Sequence, residues 1–440
     1  MARASGFKAS WLRVNRSVLF SLGLFQFLTF LRRGVFYSFM YIYLFSLIGN
    51  VTSTAALGTL NMVASTVGQN LLWGRISDRY RVRAKLVVLG EFIAGFFYVA
   101  VFLVHRSLMD AGTNFAAGLS IIFGLSVLEF FWSMSDVGWA ALLADITTQE
   151  TRGSLVGALN FIGSVGRMAG IIFSGFLYGG GLGFRQGTIF YVVTAMLFTG
   201  GIIMSFTSRF VKPIVVATSR QENINEEAEI AYQEDPDDGV YRWFLVSMIV
   251  VVLGATCISQ VFLLFLQLPE GLSASDEAVS LVLSAWTIGG MVASLAAGKL
   301  SDRLGRVKLI LYGLVLSAFT PLIYGAVHDA VSMAIVYGLN GASFWTLQTV
   351  GFTLAGDIIP ALRRGRLFSR YNAVMALSWG PAGFLIGGPL ADTQTDILGI
   401  PRHTAYFNTF LVSSILVGAG TIIFFLKVGR RLRQPPLNKP

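Results

Sequence analysis

Long apolar runs of about 20 residues, separated by short polar stretches, follow one another through most of the chain. This length suits an α-helix that spans a lipid bilayer. The pattern therefore predicts twelve membrane-spanning helices. Their predicted ranges are 17–47, 53–74, 84–104, 115–143, 153–178, 188–207, 243–267, 276–297, 308–327, 331–356, 366–390 and 404–426.

Two polar stretches between these runs repeat nearly the same sequence. Residues 74–79 read GRISDR, and residues 298–303 read GKLSDR. A second repeat follows the fourth and tenth predicted helices. Arg152 follows Asp145 there at the same spacing as Arg364 follows Asp357. Repeated loops at corresponding places indicate a doubled bundle. We expect an all-α membrane protein of two pseudo-symmetric six-helix bundles, an architecture typical of solute transporters.

The longest polar segment lies between the two predicted bundles. Residues 208–242 contain eight acidic residues and few apolar ones, which is typical of a solvated cytoplasmic linker. A regulatory role for this segment is the alternative. The predicted domains are residues 1–207, the linker 208–242, and residues 243–440.

Composition supports a membrane location. Of the 440 residues, 54% are hydrophobic and only 13% are charged, against roughly 25% in soluble domains. The net charge of +10 follows membrane topology: all but six of the 33 lysines and arginines lie on one predicted side. Because positive charge concentrates in the cytoplasm, we expect both termini there, in a cell membrane, and no nucleic-acid partner. The six exceptions are Arg106, Arg185 and Arg402 on the other side, and Arg32, Arg33 and Arg167 inside predicted helices.

The sequence lacks the residues that several classes of function require. The single cysteine, Cys257, excludes an internal disulfide and a cysteine metal cluster. The three histidines fall at predicted loops or helix ends, and no catalytic triad or phosphate-binding loop is present. We therefore expect neither an enzyme nor a cofactor, and no signal peptide is recognisable at the start of the chain.

The chain resembles the Major Facilitator Superfamily (MFS) over nearly its whole length. Twelve predicted helices, a central loop and the signature G-x-x-x-D-R-x-G-R-x-[RK] after the second helix carry the resemblance. The copy from Gly298 to Lys308 matches this signature in full. The first copy has Arg81 in place of the second glycine and Val82 in place of an arginine.

This resemblance implies a cytoplasmic gate. In the family, the motif aspartate faces a helix N-terminus in the opposite half, where negative charge is favoured by about 0.3–1 kcal/mol, and the arginines join an ion-pair network. The alternative is that these charges only fix topology. The implied gate residues, with Glu150 as a further member, are Gly74, Asp78, Arg79, Arg83, Asp145, Arg152, Gly298, Asp302, Arg303, Gly305, Arg306, Asp357 and Arg364.

Charged residues inside predicted helices mark candidate functional positions, because each costs about 2.5–3.5 kcal/mol to insert. All are in the first bundle. Helical rise places Arg33, Glu129 and Arg167 at similar depth, roughly 21–24 Å from the cytoplasmic ends of their helices. The six residues are Arg32, Arg33, Glu91, Glu129, Asp136 and Arg167.

Helical periodicity indicates which of these charges face a common cavity. Tyr37 and Arg33 share a polar stripe, from which Arg32 is rotated by about 100°. Glu91 lies near the cytoplasmic Lys85, so we expect it to reach the membrane surface. Arg33, Glu129 and Arg167 are expected to converge. A buried ion network that only holds helices together is the alternative.

The second bundle offers neutral polar and aromatic groups in place of charges. Such groups suit the uncharged part of an organic solute, although each is also compatible with ordinary packing. The candidates are Gln260, Asn340, Trp345, Gln348, Asn372 and Trp379.

These observations favour a secondary active transporter of a small organic solute. Glu129 is expected to pair with Arg33 or Arg167, to lose that arginine when solute binds, and then to take up a proton, with Asp136 as a relay. Efflux by proton antiport is slightly favoured over uptake or exchange of an organic anion. A non-transporting receptor or scaffold is the alternative from another class. The expected partners are the solute, protons and the lipid bilayer, and the expected state is a monomer.

Overall fold

The structure is a computed structural model, and it describes residues 16–147, 149–222, 238–269, 271–359, 364–377 and 380–433. All regular elements among these residues are helices. The described residues fall into two compact units: unit 1 lies within Met1–Met40 and Leu60–Ala231, and unit 2 within Tyr41–Thr59 and Tyr232–Pro440. The chain is thus an all-α protein, and the first two helices each contribute residues to both units.

Helices α1 to α8 make up the first half of the chain. A π-helical segment, Gly68–Trp73, joins α2 to α3, and a short 3-10 turn, Gly179–Gly181, precedes α7. The bounds are α1 Arg16–Ile48, α2 Val51–Val67, α3 Gly74–Tyr80, α4 Arg83–Asp110, α5 Asn114–Ile146, α6 Gln149–Tyr178, α7 Leu182–Arg185 and α8 Thr188–Glu222.

Helices α9 to α17 make up the second half. Three π-helical segments interrupt its later part: Gly383–Gly387, Thr393–Ile397 and Phe424–Gly429. The bounds are α9 Asp238–Thr256, α10 Ser259–Gln267, α11 Asp276–Leu304, α12 Arg306–Tyr324, α13 Ala330–Ile358, α14 Arg364–Ala376, α15 Gly388–Asp392, α16 Arg402–Ile423 and α17 Arg430–Arg433.

Ten helical segments among the described residues are long and apolar enough to cross a membrane. The two predicted spans outside this set, 53–74 and 366–390, form as shorter helical pieces. In the first, Gly68 comes so close to α5 that a Cβ would lie 2.8 Å from the Phe130 carbonyl oxygen. Such close approach accompanies the local change from α- to π-helix.

The predicted span 243–267 is two helices, α9 and α10, with a break at Cys257 and Ile258. A Cβ on Gly387 would lie 1.8 Å from the Cys257 carbonyl oxygen, so another part of unit 2 packs directly against the break. Two helices also extend into the predicted linker 208–242, because α8 continues to Glu222 and α9 begins at Asp238.

The helices of unit 1 pack together through apolar side chains and through glycines at close helix crossings. Phe25, Leu142, Leu159 and Met204 belong to one buried cluster. A Cβ on Gly170 of α6 would lie 2.2 Å from the Leu31 carbonyl oxygen of α1. Close backbone contact of this kind is characteristic of small residues between membrane helices, and it places α6 beside the polar stripe of α1.

Candidate functional site: a charged cleft in unit 1

A cleft of about 370 Å³ in unit 1 is lined by residues of α1, α5 and α6. Its walls combine several aromatic rings with a few polar groups, which is the usual composition of a small-molecule site. The lining residues that matter for its chemistry are Phe30, Arg33, Trp132, Asp136, Trp139 and Asn160.

Arg33 and Asp136 form an ion pair in this cleft, with 3.7 Å between Nη2 and Oδ2. Their side chains are 23% and 40% exposed, so both charges remain accessible. The Arg33 guanidinium carbon also lies 4.7 Å from the centroid of the Trp132 ring. Trp132 lies one helical turn before Asp136 on α5, and its ring therefore guides Arg33 towards that carboxylate.

Glu129 is half-buried two helical turns before Asp136 and lies within electrostatic range of Arg33. The sequence predicted that Glu129 pairs with Arg33 or Arg167. In the structure the carboxylate paired with Arg33 is that of Asp136. The pairing of Glu129 with Arg33 or Arg167 therefore stays a prediction, and Asp136 is a further partner of Arg33 that helical spacing did not indicate.

Arg32 and Glu91 lie in the interior of unit 1 and do not line the cleft. Both side chains are 2% exposed. Arg32 donates from Nη1 to the Tyr98 hydroxyl at 3.1 Å, and the half-buried Tyr37 lies beside the same hydroxyl. The expectation that Glu91 reaches the membrane surface was wrong, since α5 covers it with Trp132 and Ser135.

Arg167 lies on α6. Its side chain is exposed, and it is not part of the cleft wall. Its convergence with Arg33 and Glu129 stays a prediction. At the α1–α6 crossing, a Cβ on Gly34 would lie 2.4 Å from the Arg167 carbonyl oxygen. Arg167 thus presents its backbone carbonyl to α1.

Two of the neutral candidates of unit 2, Asn340 and Trp345, contact the same residue, Trp286. The Asn340 side chain makes two hydrogen bonds within unit 2: its Oδ1 accepts from Trp286 Nε1 at 3.3 Å, and its Nδ2 donates to Thr320 Oγ1 at 2.9 Å. Gln260 is buried and 5% exposed. The remaining candidates differ in environment: Trp345 packs edge-on against Trp286, Gln348 is half-buried, Asn372 is exposed, and Trp379 lies outside the described residues.

Each unit contains one Arg–Asp pair next to its repeated loop. Arg83 at the start of α4 pairs with Asp145 at the end of α5, and Arg306 at the start of α12 pairs with Asp357 at the end of α13. Both arginines lie at the start of the helix that follows the repeated loop, although Arg83 is one position later in the repeat than Arg306, whose counterpart is Val82. Three charged residues of the repeated loops, Asp78, Arg79 and Arg303, are exposed. The side chains of Glu150, Arg152, Asp302 and Arg364 lie outside the described residues.

One further polar contact, within unit 2, was missed by the sequence reasoning. The Asp392 carboxylate accepts hydrogen bonds from the backbone N–H groups of Val51, at 2.9 Å, and Thr52, at 2.7 Å. The Thr52 hydroxyl also donates to it at 2.6 Å. Asp392 thereby caps the N-terminus of α2 from a distant part of the chain. The only sequence signal for this contact was the position of Asp392 just beyond the end of the predicted span 366–390.

Ten candidate membrane helices among the described residues, with a small, charged, aromatic-lined cleft in unit 1, define a polytopic membrane protein. The family model described as Major Facilitator Superfamily matches residues 22–266 and 244–440. The chain therefore belongs to the Major Facilitator Superfamily, as the repeated loop signature predicted.

Several curated bacterial proteins are similar in sequence. Over 148 residues the chain is 31% identical to Multidrug resistance protein 3 of Bacillus subtilis, covering 32% of this chain and 27% of that protein. It is 23% identical over 378 residues to the Multi-drug resistance efflux pump PmrA homolog of Lactococcus lactis, covering 82% of each. An uncharacterized MFS-type transporter of Mycobacterium tuberculosis is 29% identical over 116 residues, 26% of this chain and only 16% of that relative's length.

Solved transporter structures share the fold at low sequence identity. A bacterial homolog of the human lysosomal transporter Spinster superposes with a TM-score of 0.67 at 12% identity, covering 95% of this chain and 98% of that one. The nucleoside transporter NupG gives 0.62 at 15% identity, covering 92% and 99%. A bacterial homologue of ferroportin gives 0.65 at 13% identity, covering 93% and 98%. At these identities the likeness concerns the fold alone.

Proposed function

We propose that this protein exports a small organic solute in exchange for protons, by alternating access. The observation that carries the proposal is the accessible Arg33–Asp136 pair inside an aromatic-lined cleft of about 370 Å³. An intramembrane ion pair is costly, so its presence on a cavity wall favours a role in binding solute or protons over a role in packing.

The charge balance near the cleft supports exchange with protons. Asp136 and Glu129 are two carboxylates within range of Arg33, and Arg33 balances only one of them. Arg32 is enclosed with Glu91 and Tyr98. Three carboxylates, Glu91, Glu129 and Asp136, thus lie within electrostatic range of the two arginines Arg32 and Arg33, and a proton or a cationic group of the solute can neutralise the third negative charge. Competition between the two at one carboxylate couples their movement in opposite directions.

Export is favoured by the similarity to two relatives, a multidrug resistance protein and a multi-drug resistance efflux pump homolog. The alternative of organic-anion uptake needs an arginine that is ready to bind an anion. Of the two arginines beside the Trp132 ring, Arg33 is engaged by Asp136 and Arg32 is enclosed, so anion binding there would have to displace an existing partner. A non-transporting receptor or scaffold would not need a charged cleft of this kind.

We also propose that the protein acts as a monomer in the cell membrane with both termini in the cytoplasm, as the positive-inside rule indicates. In this orientation the Arg83–Asp145 and Arg306–Asp357 pairs lie on the cytoplasmic side. They are proposed to stabilise the loops of the cytoplasmic gate within each half.

Efflux of ethidium, an aromatic organic cation, from bacterial cells that lack their own efflux pumps tests the proposal. Cells that express the wild-type protein should retain less ethidium than cells that express Asp136→Asn or Glu129→Gln at equal protein levels. The matched control is Asp110→Asn, which breaks the exposed Arg106–Asp110 pair and should leave efflux unchanged. Equal retention with the wild type, Asp136→Asn and Glu129→Gln would reject the proposal.

A further inference from the structure

A buried carboxylate lies directly behind the cleft, and the exchange mechanism above does not use it. Glu91 on α4 is 2% exposed and does not line the cleft. Its Oε1 accepts hydrogen bonds from Trp132 Nε1 at 3.0 Å and from Ser135 Oγ at 2.8 Å. Both donors do line the cleft. Glu91 thus contacts, from behind, two residues that form part of the cleft wall.

The helix crossing is built to bring these groups together. Gly90, next to Glu91, packs so closely on α5 that a Cβ there would lie 2.9 Å from Ser135 Cβ and 3.0 Å from Ser135 N. A larger residue at position 90 would separate α4 from α5. The close crossing therefore brings the Ser135 hydroxyl within reach of the Glu91 carboxylate.

A buried positive charge, Arg32, also contacts the Trp132 indole. Arg32 is also 2% exposed, and its guanidinium carbon lies 4.6 Å from the Trp132 ring centroid. A cation over an indole face contributes about 0.5–2 kcal/mol. Trp132 therefore meets a carboxylate through its N–H and a guanidinium through its ring, and both groups are hidden from solvent.

The same indole supports the exposed charges. Arg33 lies 4.7 Å from the Trp132 ring centroid and 3.7 Å from Asp136. Any change in the Trp132 side-chain rotamer moves the surface on which Arg33 rests. The hydrogen bond that fixes the indole N–H consequently influences the Arg33–Asp136 pair, although Glu91 touches neither residue of that pair.

We propose that Glu91 is a positioning residue for transport: its hydrogen bond holds the Trp132 indole in the orientation that sets the Arg33–Asp136 pair for solute and proton exchange. The effect on transport rests on the proposed function of the cleft. The positioning of Trp132 by Glu91 is independent of what the protein carries, so it has its own measurement.

That measurement is fluorine NMR of the purified full-length protein with its eight tryptophans replaced by 5-fluorotryptophan. The Trp132 and Trp139 resonances are assigned by their disappearance in Trp132→Phe and Trp139→Phe. Glu91→Leu removes the acceptor, and the Trp132 resonance should shift or broaden. Glu91→Gln keeps an acceptor oxygen and should retain most of the wild-type resonance. The Trp139 resonance, from the same cleft, is the internal control. A Trp132 resonance that is unchanged in Glu91→Leu while the protein stays folded overturns the proposal.

Ethidium efflux kinetics give the second readout, and they use the mild variant in case Glu91→Leu does not fold. Glu91→Gln replaces a charge-assisted hydrogen bond to Trp132 with a weaker neutral one, so it should raise KM about fivefold, with the maximal rate retained. In a Trp132→Phe background the same substitution should have no further effect. An equal rise in KM in both backgrounds overturns the proposal, because Glu91 would then act without Trp132. If the wild type moves no ethidium, the proposed function fails, and the NMR comparison still decides the role of Glu91.

Discussion

Arg81 and Gly305 occupy corresponding positions in the two repeated loops, and both have positive φ, 50° for Arg81 and 86° for Gly305. Arg81 is the C-cap of α3, and Gly305 is the C-cap of α11. The left-handed backbone costs a residue with a Cβ about 1–2 kcal/mol, whereas glycine adopts it freely. The two turns differ in ψ, which is 35° at Arg81 and 140° at Gly305, so the first loop makes a left-handed turn of its own without the glycine.

Arg81→Gly should accordingly stabilise the protein by about 1 kcal/mol, because it relieves the backbone strain at the turn. The measurement is the thermal unfolding midpoint of the purified protein in detergent. The matched control is Arg79→Gly, two residues earlier and inside α3, where glycine should destabilise by about 0.5–1 kcal/mol. Shifts of the same sign in the two variants would contradict this account of the turn.

The repeat and the helix positions could be predicted because they depend on local pattern. Apolar run length fixes where a helix spans the bilayer, and the repeated GRISDR and GKLSDR stretches mark corresponding loops. Helical geometry also separated Arg33, which lines the cleft, from Arg32, which does not.

The remaining features depend on contacts between distant residues. The break at Cys257 arises where Gly387 packs against it, and Glu91 is enclosed because α5 covers it. Depth along a helix predicts neither contact. The pairing of Arg33 with Asp136 likewise depends on the position of the Trp132 ring, which a single helix pattern does not contain.

The α1–α6 crossing gives a second prediction. Gly170→Ala should destabilise the protein by about 1–3 kcal/mol, because the new Cβ would lie 2.2 Å from the Leu31 carbonyl oxygen. Gly157→Ala in the same helix is the control, since its Cβ would meet no atom within 4 Å and alanine favours the helix by about 0.5–1 kcal/mol. Unfolding midpoints that move together in the two variants would show that the close crossing does not hold α6 to α1.

The cap on α2 gives a third prediction. Asp392→Ala removes the acceptor for the Val51 and Thr52 N–H groups and should weaken the start of α2 by about 0.5–2 kcal/mol. Amide hydrogen exchange there should accelerate about two- to thirtyfold. Asp329→Ala is the control: Asp329 caps α13 from within its own segment, so exchange should rise at residues 331–332 and stay constant at 51–52. Unchanged exchange at residues 51–52 in Asp392→Ala would show that the cap does not hold α2.

The loop ion pairs give a fourth prediction. The Arg83–Asp145 side chains are 22% and 24% exposed, whereas those of Arg306–Asp357 are 32% and 50% exposed. Solvent weakens ion pairs, and exposed pairs contribute only about 0–1 kcal/mol. A double-mutant cycle with Arg83→Gln and Asp145→Asn should therefore show a larger coupling energy than the cycle with Arg306→Gln and Asp357→Asn. Additive single effects in the Arg83 cycle, or the reverse order, would count against a stabilising role for the first pair.

The most direct test of the central claim is proton movement driven by solute in proteoliposomes. The purified protein is reconstituted with a pH-sensitive dye in the lumen, with the membrane potential clamped at zero, and ethidium is added outside. If solute and protons compete for the carboxylates beside Arg33, ethidium entry should raise the lumenal pH with the wild type and with Asp110→Asn, and should fail to do so with Asp136→Asn or Glu129→Gln. Ethidium entry at constant lumenal pH with the wild type would contradict the account.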